Sequence, residues 1–210
     1  MTNSKKVMQA IVHSVIRIGQ HYRQFKVSCE VAPGIGIHLI GLADQAVKES
    51  LLRTVTAIEA KGYRIPGKKV VIVIESVYGN ATAFGSGFDL PIAIALLLAS
   101  GQIETKYMTS SLCIIGELGL DGSIRSPYGV SGYDVYQFSK SDFSKFLMPF
   151  QLAIQTASLL PSNVYAPNDL MDAIDIITAP GTNKAEENLV WRTEEWRRIV
   201  DELTKIAEVK

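Results

Sequence analysis

Residues 89 to 100 read DLPIAIALLLAS, one acid followed by an apolar run with no polar stripe. A helix built from them has no face suited to water, so it must be buried on most sides. Leu90 to Ala99 is about half of the ~20 residues a bilayer crossing needs, so a core element is expected and not a membrane span. Gly101 closes the helix. Ahead of it lies a Gly-rich loop, YGNATAFGSGF, at 78 to 88.

The remaining elements must supply that burial. Residues 7 to 17 are rich in β-branched side chains and predict a strand. Over 23 to 31, Phe25, Val27, Cys29 and Val31 share one face and Lys26, Ser28 and Glu30 the other, a half-buried strand with Cys29 in the core. Pro33-Gly34 marks a turn and 35 to 41 predicts a third strand. Three strands joined by short connections suggest an antiparallel meander. A helix follows, capped near Asp44, with Val47, Leu51, Val55 and Ile58 on one apolar face, and Gly62 ends it. Lys69 to Val77 is nearly continuously apolar, the pattern of a central strand buried on both faces. After the 89–100 helix, residues 112 to 118 predict a core strand and Asp121-Gly122 a hairpin turn. Strands at 146–149 and 163–166 and helices at 150–159 and 168–177 complete the pattern. The expected division is a domain over 1–180, then a linker and an amphipathic C-terminal helix over 181–210.

Function classes narrow by exclusion. Of the 210 residues 47% are hydrophobic and 20% charged, which removes disordered and fibrous classes. Lys plus Arg and Asp plus Glu are both 21, a balance unsuited to coating nucleic acid. Cys29 and Cys113 are too few for a disulfide framework. The N-terminus lacks the long apolar core of a secretory signal, so a cytoplasmic location is expected. No Walker A pattern is present, so ATP hydrolysis by this chain alone is not expected.

Four places can carry chemistry or binding. Gly85-Ser86-Gly87, just before a helix, can hold an anion on backbone N–H groups. Asp89 in the first turn opposes that by supplying its own negative charge, and the simpler reading is that it caps the helix. Glu117, Asp121 and Asp89 are either solvated turn carboxylates and a cap or an acidic cluster for a divalent cation. Lys61, Arg64, Lys68 and Lys69 form a basic run, either a solvated surface or a phosphate contact. Trp191, Trp196, Ile199 and Leu203 lie in the C-terminal segment, as a helix docked on its own domain or as an interface for another subunit. Ser86 has no base in sight as a nucleophile.

GLADQAVKES (41–50), GYRIPGKKVVI (62–72), GSGFDLPIAIALLLASGQI (85–103) and GELGLDGSIR (116–125) resemble the N-terminal domain of the Mg-chelatase subunit I-like proteins, the ComM or YifB family, over roughly residues 7 to 178. More distantly the chain is similar to the proteolytic domain of Lon proteases. The resemblance implies an α+β fold of the ribosomal protein S5 domain 2-like type, to which the C-terminal helix is an addition without a counterpart in the family. In Lon the nucleophile lies in a D-G-P-S-A-G loop. Aligned on Gly85, the nucleophile position holds Gly87, and the catalytic lysine position falls on Ser131. The resemblance therefore implies lost peptidase chemistry, and no cofactor is expected. Full-length members continue into an AAA+ ATPase module. The expected role is a freestanding, non-catalytic interaction or assembly module, its partner a ComM-type AAA+ ATPase in DNA processing or further copies of itself. The alternatives are a divergent serine peptidase or phosphate-ligand enzyme using the Gly85-Ser86-Gly87 loop, and nucleic-acid binding through the basic run.

Overall fold

A computed structural model describes residues 8–18, 21–41, 45–79, 87–105, 111–132, 135, 143, 145–157, 164–178 and 198. The elements are β1 (Met8–Ile18), β2 (His21–Ala32), β3 (Ile37–Ile40), α1 (Gln45–Ala60), β4 (Lys69–Ser76), α2 (Asp89–Ala99), β5 (Leu112–Ile114), β6 (Glu117–Leu118), β7 (Ile124–Arg125), β8 (Lys145–Leu147), α3 (Phe150–Ala157), β9 (Val164–Tyr165) and α4 (Leu170–Thr178). Among the described residues, seven strands form one mixed sheet in the order β3-β4-β2-β1-β5-β8-β9, while β6 and β7 make a separate two-stranded hairpin. The β3–β4, β1–β5, β5–β8 and β8–β9 pairs are parallel; β1–β2 and β2–β4 are antiparallel.

The meander expectation is corrected here. β3 follows β2 in sequence but pairs with β4, which inserts between them. The helix α1 is long enough to carry the chain over the sheet, so β3 and β4 become parallel neighbours joined by a crossover, which a short turn cannot make. The run from 112 to 118 is also not one strand. It leaves the sheet after Ile114 and starts the hairpin at Glu117, with Gly116 lying against Leu90 and Ile124. β4 is buried on one face only. Val70, Ile72 and Ile74 are in the core, while Val71 and Val73 are half-exposed on the other face.

One core lies between the sheet and α1, α2 and α4. Every residue of α2 except Leu98 is buried, as its composition requires. Phe25 of β2 meets Phe88 edge-on at 5.3 Å. Phe25, Val27, Cys29 and Val31 are all buried, as their alternation predicts. A second core, on the other face, joins Val15, Cys113, Ile115 and Phe146 to Val135, Phe143, Leu152 and Ala153. Gly62 and Gly101 end α1 and α2 with φ of +83° and +70°, backbone that glycine adopts without strain. Among the described residues, no helix is long and apolar enough to cross a membrane. Except for Arg198, which is exposed, residues 179–210 lie outside the described residues, so the division at 180/181 and the C-terminal helix, with Trp191, Trp196, Ile199 and Leu203, are not described.

Candidate functional site: the start of α2

The junction between the Gly-rich loop and α2 is held by a buried acid. Asp89 has no exposed surface. The capping expectation fails: the N-cap position is Phe88, and no side chain caps the helix. The carboxylate turns away from its own helix. Its Oδ1 accepts from Ser50 Oγ and, at 3.2 Å, from the Arg53 guanidinium. Its Oδ2 accepts from Arg53 Nε at 2.9 Å and from the Leu118 N–H at 3.0 Å. Its backbone C=O accepts from Thr54 Oγ1 at 3.1 Å, and the next N–H, of Leu90, donates to Gly116 C=O at 3.1 Å. One residue thus ties α2 to α1 and to the β6–β7 hairpin.

The local sequence of α1 makes this possible. Ser50, Arg53 and Thr54 sit three and four residues apart, on one side of the helix. Val47, Ser50, Thr54, Ala57 and Ile58 are buried, while Leu51 and Val55 are half-buried. The inward face is therefore turned toward the hydroxyls, away from the all-apolar stripe that the spacing of Val47, Leu51, Val55 and Ile58 predicts. The legible signal was the lone acid in α2, since a buried carboxylate requires donors.

Burial pushes the Asp89 carboxyl up to about 6, against the lowering pull of Arg53 and of the Leu118 N–H. The hydrogen bond to Asp89 holds the Arg53 guanidinium above its usual range. Glu117, half-buried, adds negative potential at both groups. Asp121 does not join this cluster. It is exposed in the hairpin turn and accepts from the Ser123 N–H at 3.0 Å, and that bonding lowers its carboxyl. The hairpin is the one Asp121-Gly122 predicts, Gly122 taking φ +82°. Among the described residues, no group of three His, Cys, Asp or Glu is placed to hold a metal ion.

Gly85 and Ser86 lie outside the described residues. Gly87 is buried, and a side chain there would meet Ile16 at 3.4 Å and Pro127 at 3.5 Å. The segment ending at Ser131 is thus brought beside Gly87 through Pro127. The Ser131 C=O accepts from the Val135 N–H at 3.3 Å. The basic run is split. Lys61 pairs with Asp169 at 2.6 Å, Arg64 is tied through its backbone to Gln102, and Lys68 and Lys69 are exposed. Burial alone would raise the Asp169 carboxyl, but the bond from Lys61 keeps it below its usual range.

A family model described as subunit ChlI of Mg-chelatase matches residues 27–152, from β2 into α3. The uncharacterized protein YifB of Escherichia coli is 36% identical over 124 residues, which is 59% of this chain and 23% of that protein. Its counterpart from Salmonella typhimurium is 34% identical over the same shares. The competence protein ComM of Haemophilus influenzae is 25% identical over 169 residues, 80% of this chain and 32% of ComM. The chain spans only 23% to 32% of the length of these relatives.

Proposed function

The chain belongs to the family of subunit ChlI of Mg-chelatase, and from that premise we propose that it is a non-catalytic domain of the Lon-protease-like, ribosomal protein S5 domain 2-like type that acts by binding other proteins. The crossover β3–α1–β4 beside an antiparallel β1–β2 pair, with α2 packed against β1 and β2, supports that fold reading. The observation that carries the functional reading is the pair of residues at the aligned peptidase positions. Gly87 has no side chain, and Ser131 has no amine to take a proton from a nucleophile. The ionisable residue nearest in sequence to Gly87, Asp89, is spent on Ser50, Arg53 and Leu118.

The partner we infer is an AAA+ ATPase of the ComM type, or further copies of this chain, in the cytoplasm. Two free, buried cysteines suit a reducing compartment. A fluorophosphonate probe and casein digestion test the non-catalytic half. Neither labelling nor cleavage is expected, and Ser86-dependent cleavage overturns the reading. Light scattering of the full chain, alone and mixed with a ComM-type ATPase, tests the other half. A complex or oligomer weakened by combining Trp191→Ala and Trp196→Ala is expected. A monomer that binds neither overturns it.

A further inference from the structure

The sheet has two edges, and they differ. β9 is described over two residues only, Val164–Tyr165, too few to argue from. Among the described residues β3 pairs on one side only, with β4, in an unbroken register from Ile37↔Val70 to Ile40↔Val73. The Val70 N–H donates to Gly36 C=O at 2.8 Å. Backbone groups alternate in direction along a strand, so Gly36, His38 and Ile40 face β4 while Ile37 and Leu39 turn their N–H and C=O outward. Among the described residues, nothing takes up those outward groups.

Natural edge strands carry a charge, a proline or a bulge against adventitious pairing. Residues 34 to 41 carry none of these, reading GIGIHLIG. Ile35 is 88% exposed and Ile40 52%. On the adjoining open face the register places Ile40 beside Val73, so the apolar edge reaches β4, and the polar Ser28 stands next to Val73 on β2. Charge on this face comes from Glu30, beside Val71, from the lysines at one end of β4 and from the Lys26–Glu75 pair at the other. Lys69 packs its side chain along Gly34, and Lys68 is exposed beside it. The acid at the far end of β4, Glu75, is held by Lys26 at 2.9 Å.

We propose that the outer edge of β3 receives an extended segment of a partner protein, β-branched in its middle and acidic where it passes Lys68 and Lys69. This rests on the reading of the chain as a binding module and names the chemistry one partner must have. Main-chain bonds to Ile37 and Leu39 provide affinity, and Ile35, Ile40 and the two lysines provide selection. A second copy of β3 is the poorer occupant. Four residues against four fall far short of the roughly 1,200 Å² of a stable protein pair, whereas a strand-adding peptide draws its affinity from the backbone. Antiparallel addition, the more stable pairing per residue, puts the acids at the C-terminal end of the incoming segment.

The probe is a fluorescein-labelled octapeptide, Thr-Val-Thr-Ile-Thr-Val-Asp-Glu, titrated with the full chain and read by anisotropy, with amide hydrogen exchange mapped on the complex. Saturable binding is expected, with new protection at Ile37 and Leu39. Ile40→Lys, at an exposed position that leaves the thermal melt unchanged, is expected to weaken it about tenfold. Lys68→Glu with Lys69→Glu is expected to weaken it as well, and to restore binding to a peptide ending in Lys-Arg. Absence of saturation, binding without protection at Ile37 and Leu39, or indifference to Ile40→Lys overturns the proposal. So does a concentration-dependent dimer of the chain that Ile40→Lys dissolves, which assigns the edge to self-association. Ser86-dependent peptidase activity sinks the non-catalytic reading and leaves this titration standing, so the two failures are separable.

Discussion

Arg53 grips Asp89 through two bonds, Nε to Oδ2 at 2.9 Å and Nη2 to Oδ1 at 3.2 Å, from a helix thirty-six residues away in sequence. The acid is fully buried and the arginine side chain 27% exposed. The pair fastens the start of α2 to α1, and the Leu118 N–H extends the fastening to the β6–β7 hairpin. Removing the arginine leaves a desolvated anion, which is costlier than leaving a half-exposed cation. Arg53→Ala is expected to destabilise the fold by about 3 kcal/mol, and Asp89→Asn by about 2 kcal/mol because its amide faces donors where acceptors are needed. Urea unfolding of the two variants checks both the size and the order.

The same acid sets a pH dependence with a definite sign. Its carboxyl is pushed up to about 6 in the folded chain from an ordinary 3.8. Between these values the folded state holds a proton that the unfolded state has released. Stability contributed by Asp89 is therefore greatest below about pH 4 and declines as pH rises to about 6. Asp121 and Asp169, with lowered carboxyls, act in the opposite sense at lower pH. Unfolding curves at pH 4, 5, 6 and 7 are expected to show the wild type losing stability relative to Asp89→Asn across the window, by on the order of 2 kcal/mol. A constant difference refutes the assignment.

Gly41 closes β3 with φ +125°, and a methyl group there would run into the C=O of Ile74. Both the backbone region and the space demand glycine. Gly41→Ala is expected to cost about 2–3 kcal/mol. Gly67→Ala is the control, since nothing lies within 4 Å of a side chain placed there, and it is expected to change the melting temperature little.

Lys61 and Asp169 sit 2.6 Å apart with side chains 21% and 32% exposed. Solvent screening leaves such a pair worth less than about 1 kcal/mol. Lys61→Met is expected to lower stability by no more than that, and raising salt is expected to narrow the gap.

Burial pushes the Cys29 thiol up to about 12 and raises that of Cys113 as well. Both are free and without exposed surface. A thiol reagent at pH 8 is expected to titrate neither in the native chain and both after unfolding in guanidinium, because reaction requires exposed thiolate.

What the sequence discloses here is local. The burial of α2 follows from having no polar face, and the inward set Phe25, Val27, Cys29 and Val31 follows from alternation in β2. Adjacency in the sheet is different, because it depends on what α1 carries the chain across. Spacing within β2 and β3 holds no trace of β4 lying between them. The split at Gly116 is hidden for a related reason, since LCIIGEL stays apolar while the backbone changes sheets. In the site, the importance of Asp89 was readable but its role was not. Capping is the local solution for an acid in a first turn, and it yields here to Ser50 and Arg53, partners supplied by another helix.

Since α2 is buried at every position but Leu98, it has no idle side on which to hide a change of length. One extra residue turns everything after it by about 100°, and any turn swaps one wall's partners for another's. Substitutions that keep volume are open to this helix, while insertions are closed to it and can be taken up only by the loops at either end.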